Sequence, residues 1–303
     1  MQRRAFVRLL GIGTIGLSTG CSPVINTLGR KQQGIHPEEV DGLISFWDFQ
    51  EPAGNARLAS GPYAYPLQER NGSVKRVSPG IFGSHSAYIE WGQWFSIPRA
   101  ECPALNIHGP DAEVSVVVWI QRIADNVWQY IAGMWNEQDA ERQYALFTSG
   151  HRQANYNTYD RIEAEHQPHG YISAVGGATP GRPFCFSYAT GPTFLEKNRW
   201  YMLATTYDAQ EIKVYVNGQL DANAGYNPFK YTKGIFDAGK NGADFTVAQR
   251  SVPKWPDYPK NAPDNGVGFS GYLGGLGIYD RALLAGEISE IYQFTQSKMR
   301  TIS

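Results

Sequence analysis

Glu137, Asp139 and Glu141 occupy alternate positions in the run Glu137-Gln138-Asp139-Ala140-Glu141. On an extended strand, side chains two residues apart share a face, so three carboxylates would lie close enough to perturb one another's proton affinity. Retaining hydrolysis of a glycosidic bond uses such a set, with one carboxylate as nucleophile and another as general acid. Glu137 and Glu141 are the candidates for those roles. The flanks oppose this reading. The stretch WNEQDAER is polar, lies between two apolar runs, and has no β-branched or aromatic residue after its tryptophan to keep it extended. It reads more simply as a solvated hairpin loop.

A second constellation is YNTYDRIEAEHQPHGY, residues 156 to 171. Tyr159, His166 and His169 could supply an acid–base pair, and Arg161 a partner for a uronate carboxylate, as elimination from an acidic polysaccharide requires. The plain alternative is a polar loop leading into the strand HGYISAV. Other motifs are missing: Gly176 to Pro183 lacks the Lys-Ser/Thr of a phosphate loop, and no nucleophile elbow, H-E-x-x-H or EF-hand loop occurs.

Aromatic residues make up 13% of the chain, and they point to a third kind of chemistry. Trp91, Trp94, Trp128, Trp135, Trp255, Tyr144 and Tyr171 exceed the evident needs of one core, and sugar rings stack on aromatic faces while amides and guanidiniums satisfy hydroxyls. Trp119, Trp200 and Trp47 sit in apolar runs and are expected inside. Trp128 and Trp135, beside polar loops, are the expected surface pair. The predicted carbohydrate-binding cluster is Trp135, Asn136, Arg142, Tyr144, His169 and Tyr171, at the ends of neighbouring strand segments.

The elements that would position these residues are strands. Apolar runs rich in Val, Ile, Tyr, Phe and Trp recur between turn signals at 43–49, 87–91, 113–122, 128–135, 142–148, 169–175, 199–208, 211–220, 244–250 and 271–280. With 33 Gly, 18 Pro and 18% charged residues, the composition suits a sandwich of short strands. In EVSVVVWIQR, Val114, Val116, Val118 and Ile120 share one face and Ser115, Val117, Trp119 and Gln121 the other, which predicts a central strand. Asn217-Gly218 is the preferred pair for a tight hairpin turn. One helix is predicted, over 282–292, from the spacing of Leu283, Leu284, Ile288, Ile291 and Tyr292. The Pro-rich stretch 251–268 reads as a long surface loop.

The N-terminus, MQRRAFVRLLGIGTIGLSTGC, has basic residues, a short apolar run from Leu9 to Leu17, and small residues up to Cys21. That run cannot span about 30 Å of hydrocarbon, so residues 1–21 are expected to be an export signal rather than a permanent span. Arg3-Arg4 resembles a twin-arginine signal and Ser18-Thr19-Gly20-Cys21 a lipobox, with Ser18 where Leu is usual. Cys21 is the expected lipidation site, residues 22–39 a tether, 40–296 the folded domain and 297–303 a tail. The first 33 residues carry five basic residues and no acid, leaving 22 basic against 28 acidic beyond them, a net of −6. Such a body gives no electrostatic reason to bind nucleic acid, and neutral polar partners fit it better. In an oxidising compartment, the remaining cysteines, Cys102 and Cys185, are expected to pair.

Three segments, in order, carry a family resemblance: GLISFWDFQEPAGN (42–55), NRWYMLATTYDAQEIKVYVNGQL (198–220) and FSGYLGGLGIYDRALLAGEI (269–288). Together they resemble the laminin-G-like, concanavalin A-like lectin and glucanase superfamily. The resemblance implies an all-β, two-sheet antiparallel jelly roll with a short C-terminal helix. By the same analogy a structural calcium ion is implied, with Asp48 and Asp244 as available oxygen ligands. The expected function is an exported, membrane-anchored module binding extracellular oligo- or polysaccharide. The alternatives are a polysaccharide-cleaving enzyme on the same fold or a protein–protein adhesion module.

Overall fold

The computed structural model describes residues 34–125, 128–149, 166–182, 184–251 and 267–302. All belong to the compact unit Gln33–Ser303. The expected export signal, Cys21, Tyr159, Arg161 and Trp255 lie outside the described residues.

Among the described residues the strands are, in chain order, β1 (Leu43–Trp47), β2 (Arg57–Leu58), β3 (Pro66–Arg70), β4 (Lys75–Val77), β5 (Ser86–Ile89) and β6 (Trp94–Ile97). Then come β7 (Val114–Arg122), β8 (Trp128–Asn136), β9 (Glu141–Ser149), β10 (Pro168–Gly176), β11 (Tyr188–Thr190) and β12 (Trp200–Tyr207). The last are β13 (Glu211–Val216), β14 (Gln219–Leu220), β15 (Phe229–Lys230), β16 (Phe245–Val247) and β17 (Gly271–Tyr279), followed by helix α1 (Ala285–Thr301). They form two antiparallel sheets. The first runs β14-β13-β12-β7-β17-β5-β4, with β1 also on β17 and β15 on β13; the second runs β11-β10-β9-β8-β16-β6-β3-β2. The all-β two-sheet sandwich is the architecture the resemblance implied.

The core sits where the alternation of β7 requires it. Val114, Val116, Val118 and Ile120 pack between the sheets against Ile131, Met134, Leu146 and Ile172 of the second. Val117 and Trp119 point outward into a separate cluster, which α1 covers with Ile288, Ile291 and Met299. β7 pairs with β12 on one side and β17 on the other, the central position its two apolar faces predict. The helix is pinned by a hydrogen bond from the Trp119 indole Nε1 to Thr295 Oγ1 at 2.9 Å. At its start the Glu287 carboxylate accepts from the Leu284 N–H at 2.7 Å and pairs with Arg281. This closes half of a capping box, since a leucine side chain has nothing to give in return. α1 continues to Thr301, well past Tyr292, because Thr295 and Met299 extend its buried stripe. Asn217 and Gly218 both have positive φ, the requirement of a tight hairpin turn, and a side chain at Gly218 would meet Tyr292 of α1.

The expected disulfide is not formed. Cys102 is buried in the core between the sheets and Cys185 in a cluster on the outer face of the second sheet, and both are free thiols. Strands β8 to β10 feed alternate residues to these two clusters, so the sheet itself separates the sulfurs. Burial pushes the Cys102 thiol up to about 12.

Candidate functional site

The outer face of the second sheet carries a connected set of aromatic side chains with polar neighbours. β8 contributes Trp128, Tyr130 and Trp135; β9, Ala145 and Phe147; β10, His169 and Tyr171; β11, Tyr188. The rings meet edge-on or tilted: Trp135 lies 5.4 Å from Tyr171 and 5.8 Å from Phe147, Tyr171 lies 4.7 Å from Tyr188, and Trp128 lies 5.2 Å from His169. Such contacts contribute roughly 0.5–1.5 kcal/mol each beyond the area they bury.

Register explains the shape of this face. Tyr188, Tyr171, Ala145, Gly133, Thr246, Ser96 and Gln68 lie opposite one another across seven strands. The row runs from two tyrosines through small residues to an exposed glutamine. Gly133 is fixed in type, because its φ is +148° and an added Cβ would lie 2.2 Å from the Tyr144 carbonyl oxygen. The row itself contains no carboxylate.

A polar corner closes one end. Trp135 pairs across the strands with Arg142, whose guanidinium carbon lies 5.9 Å from the indole ring centroid. Arg142 Nη1 donates to the Gly176 carbonyl at 3.2 Å, and Nη2 lies 3.2 Å from a Glu137 carboxylate oxygen. The other Glu137 oxygen is paired with Arg250. Trp135 is 2% exposed and Arg142 5%. Even so, the Trp135 Nε1–H and the Arg142 Nε–H have no acceptor among the described residues. Burial also holds the nearby Tyr130 phenol and Cys185 thiol neutral, raising both above their ordinary values.

The predicted binding residues are therefore divided. Trp135, Arg142, His169 and Tyr171 come together on this face, but they are buried, and of the two tryptophans expected at the surface Trp128 is partly exposed while Trp135 is not. Tyr144 points the other way, into the core, where its hydroxyl donates to the Leu105 carbonyl at 2.7 Å. Asn136 is turned from the aromatic face and holds the hairpin, bonding Asp139 through both its amide nitrogen and its oxygen. The cause is a bulge at Gln143: Met134 pairs with Tyr144 while Trp135 pairs with Arg142, so one extra residue shifts which side chains face outward. Tyr130, Phe147, Tyr188 and Arg250 belong to the face but were missed. Alternation along RQYALFT places Ala145 and Phe147 opposite Tyr144 and Leu146, a signal sufficient to find Phe147.

Glu137 and Glu141 flank the turn between β8 and β9, where Ala140 has positive φ. Glu137 is committed to two arginines, and Glu141 pairs in register with Asn136 at the root of the turn. The three carboxylates do not form one strand face. His166 and His169 also separate. His169 lies on the aromatic face, its Nε2 3.2 Å from Thr190 Oγ1. Buried His166 has Nδ1 2.6 Å from Arg122 Nη2 and 3.2 Å from the Ser149 carbonyl oxygen, and Nε2 3.2 Å from Asp125. Asp125 is held below the usual aspartate range by its hydrogen bond with Lys197.

Asp48 and Asp244 do not suit a calcium ion. Asp244 accepts the Arg99 N–H at 2.8 Å, whereas Asp48 lines a different feature, an open cleft of about 380 Å³ with Glu38, Gln50, Glu51, Leu58 and Ser60. Burial raises the Asp48 carboxyl, and Glu51 and Glu38 add to the rise. Among the described residues no group of three or more His, Cys, Asp or Glu is placed to hold a metal. No helix among them is long and apolar enough to cross a membrane.

Comparison with known proteins agrees with this architecture. The sandwich is similar to Trypanosoma rangeli sialidase in complex with the inhibitor DANA, at 13% identity and a TM-score of 0.52, covering 86% of this chain and 34% of that one. It is also similar to domain 4 of AbnA, a GH43 extracellular arabinanase from Geobacillus stearothermophilus, in complex with arabinotriose. There the identity is 15% and the TM-score 0.48, with 82% of this chain and 98% of that one covered. At such identities the likeness is one of fold, and this chain spans about a third of the sialidase. A search of curated proteins found no match. The family model for the concanavalin A-like lectin/glucanases superfamily matches residues 100–289, from the segment before β7 through the start of α1. With more than half of its length matched and both sheets in place, the chain belongs to the concanavalin A-like lectin/glucanases superfamily.

Proposed function

We propose that this protein binds an extracellular oligo- or polysaccharide on the outer face of its second sheet. The observation that carries the reading is the corner at Trp135 and Arg142. Two N–H donors there are buried beside a continuous aromatic layer and lack acceptors among the described residues. A buried donor left unmade costs roughly 1–3 kcal/mol, so it persists where a ligand supplies the acceptor. Sugars offer what the corner lacks, hydroxyl and ring oxygens on a body with apolar C–H faces that suit aromatic rings. Entry of a sugar requires side chains of this face to move, starting from its partly exposed margin at Trp128 and Phe186.

Location belongs to the same proposal. The N-terminal residues fit an export signal ending at Cys21, and a lipidated Cys21 would tether the sandwich to an envelope membrane.

A glycan array probed with the purified chain, followed by titration of the selected oligosaccharide into Trp135→Ala, tests the reading. Binding that survives the substitution removes this site. An array with no positive glycan removes the function.

A further inference from the structure

We infer that an ordered water molecule is bound inside the sandwich, joining Arg122 of the first sheet to Gln129 and Thr148 of the second. All three side chains are fully buried, and each keeps one polar atom with no partner among the described residues: Arg122 Nε, Gln129 Oε1 and Thr148 Oγ1. Bulk solvent does not reach them. The backbone brings the three together. Arg122 ends β7 on the face of Val118 and Ile120, which looks into the core. Gln129 and Thr148 are cross-strand partners on β8 and β9, so their Cβ atoms lie about 4.5–5.5 Å apart. Thr148 shares the face of Tyr144 and Leu146, which also looks into the core. The Ala124 carbonyl then ties the two sides, accepting from Arg122 Nη2 at 3.0 Å and from Gln129 Nε2 at 3.1 Å. Those two bonds fix both side chains. The Gln129 amide turns its nitrogen to the carbonyl and keeps its oxygen unused. The Arg122 guanidinium, with Nη1 on the Leu195 carbonyl and Nη2 on that of Ala124, is left with its Nε–H.

The three unused atoms are complementary in kind. Arg122 Nε–H is a donor, Gln129 Oε1 an acceptor, and the Thr148 hydroxyl can be either. They do not bond one another, so a bridging group must accept from Arg122 and donate to Gln129. Water does both, and about three hydrogen bonds are what a buried water makes. A sugar does not suit this place, because it lies between the sheets, unlike the corner at Trp135 on an outer face. The bridge is a second polar link between β7 and the pair β8 and β9, beside the Ala124 carbonyl.

A high-resolution crystal structure of the full chain tests the site. The expected result is a water oxygen within hydrogen-bond distance of Arg122 Nε, Gln129 Oε1 and Thr148 Oγ1. Thr148→Val keeps the shape and removes one of the three contacts. In that variant the residence time of one internal water, read from the oxygen-17 relaxation dispersion of the solvent, should fall several-fold. A melting temperature shows whether the variant folds, and the wild-type crystal structure decides the question if it does not. No water at the three atoms, or direct bonds among the three side chains, overturns the inference. So does a residence time unchanged in Thr148→Val. None of these outcomes bears on the glycan-binding reading, which rests on the other face of the second sheet.

Discussion

Arg142 and Trp135 face each other across β8 and β9 with guanidinium carbon and indole centroid 5.9 Å apart, and each retains a buried N–H without an acceptor among the described residues. The pair is well packed and under-bonded at once. Packing serves the fold, and in the proposed reading the open donors serve a ligand.

Substitutions at Trp135 should separate those two contributions. Trp135→Ala removes a buried ring in contact with Phe147 and Tyr171 and should cost about 3–5 kcal/mol in denaturant unfolding. Trp135→Phe deletes a donor that the free protein does not use, so its cost should be well under half of that. A stability loss in Trp135→Phe as large as in Trp135→Ala would mean that the indole N–H already has a structural partner.

The helix offers a cleaner test of a buried hydrogen bond. In Thr295→Val the shape is nearly kept, but the Trp119 indole loses its acceptor 2.9 Å away. Leaving that donor unpaired should lower unfolding stability by about 1–3 kcal/mol. Wild-type stability in this variant would show that another acceptor, or water, reaches the indole.

Acid should loosen the start of α1. Arg281 holds the Glu287 carboxyl below its ordinary 4.5, with burial opposing it. A depressed carboxyl contributes stability above its unfolded value, and the contribution is lost as pH falls through the lower folded value. Glu287→Gln should therefore be less stable than wild type near neutrality, and the difference should close as pH drops below about 4.5. The side chain is about a quarter exposed, so solvent screening keeps the effect to the order of 1 kcal/mol or less. Parallel denaturation curves from pH 3 to 7 would check it, and a pH-independent difference would contradict it.

The cysteines should behave as two inert thiols. Both are buried, and burial raises both above the ordinary thiol value, Cys102 to about 12. Among the described residues, a thiol reagent should label neither in the folded protein and both in denaturant. Reduction should leave electrophoretic mobility unchanged, and a shift on reduction would restore the disulfide.

Strand identity was legible in the sequence wherever a run was long and its alternation unbroken. In β7, six apolar side chains on two faces mark its central position, and Asn217-Gly218 marks the turn between β13 and β14 because few residue pairs tolerate two positive φ angles. Short edge strands such as β2 and β4 gave no such signal, since two or three residues cannot show a period. The grouping of the candidate residues is legible in part: the sheet brings Trp135, Arg142, His169 and Tyr171 to one face, while Tyr144 lies on the other because the bulge at Gln143 breaks the alternation that would put it with Arg142. Burial of Trp135 could not be read at all. It depends on rings from β9 and β10 that meet only in the folded sheet.

Nuclear magnetic resonance of the tryptophan indoles tests the central claim most directly. The chain has eight tryptophans, and the Trp135 indole N–H signal can be assigned as the one lost in Trp135→Phe. On titration with a glycan that binds, that signal should move downfield, because a donor without an acceptor gains one. Saturable glycan binding with the Trp135 indole signal unmoved would place the site elsewhere and contradict the account.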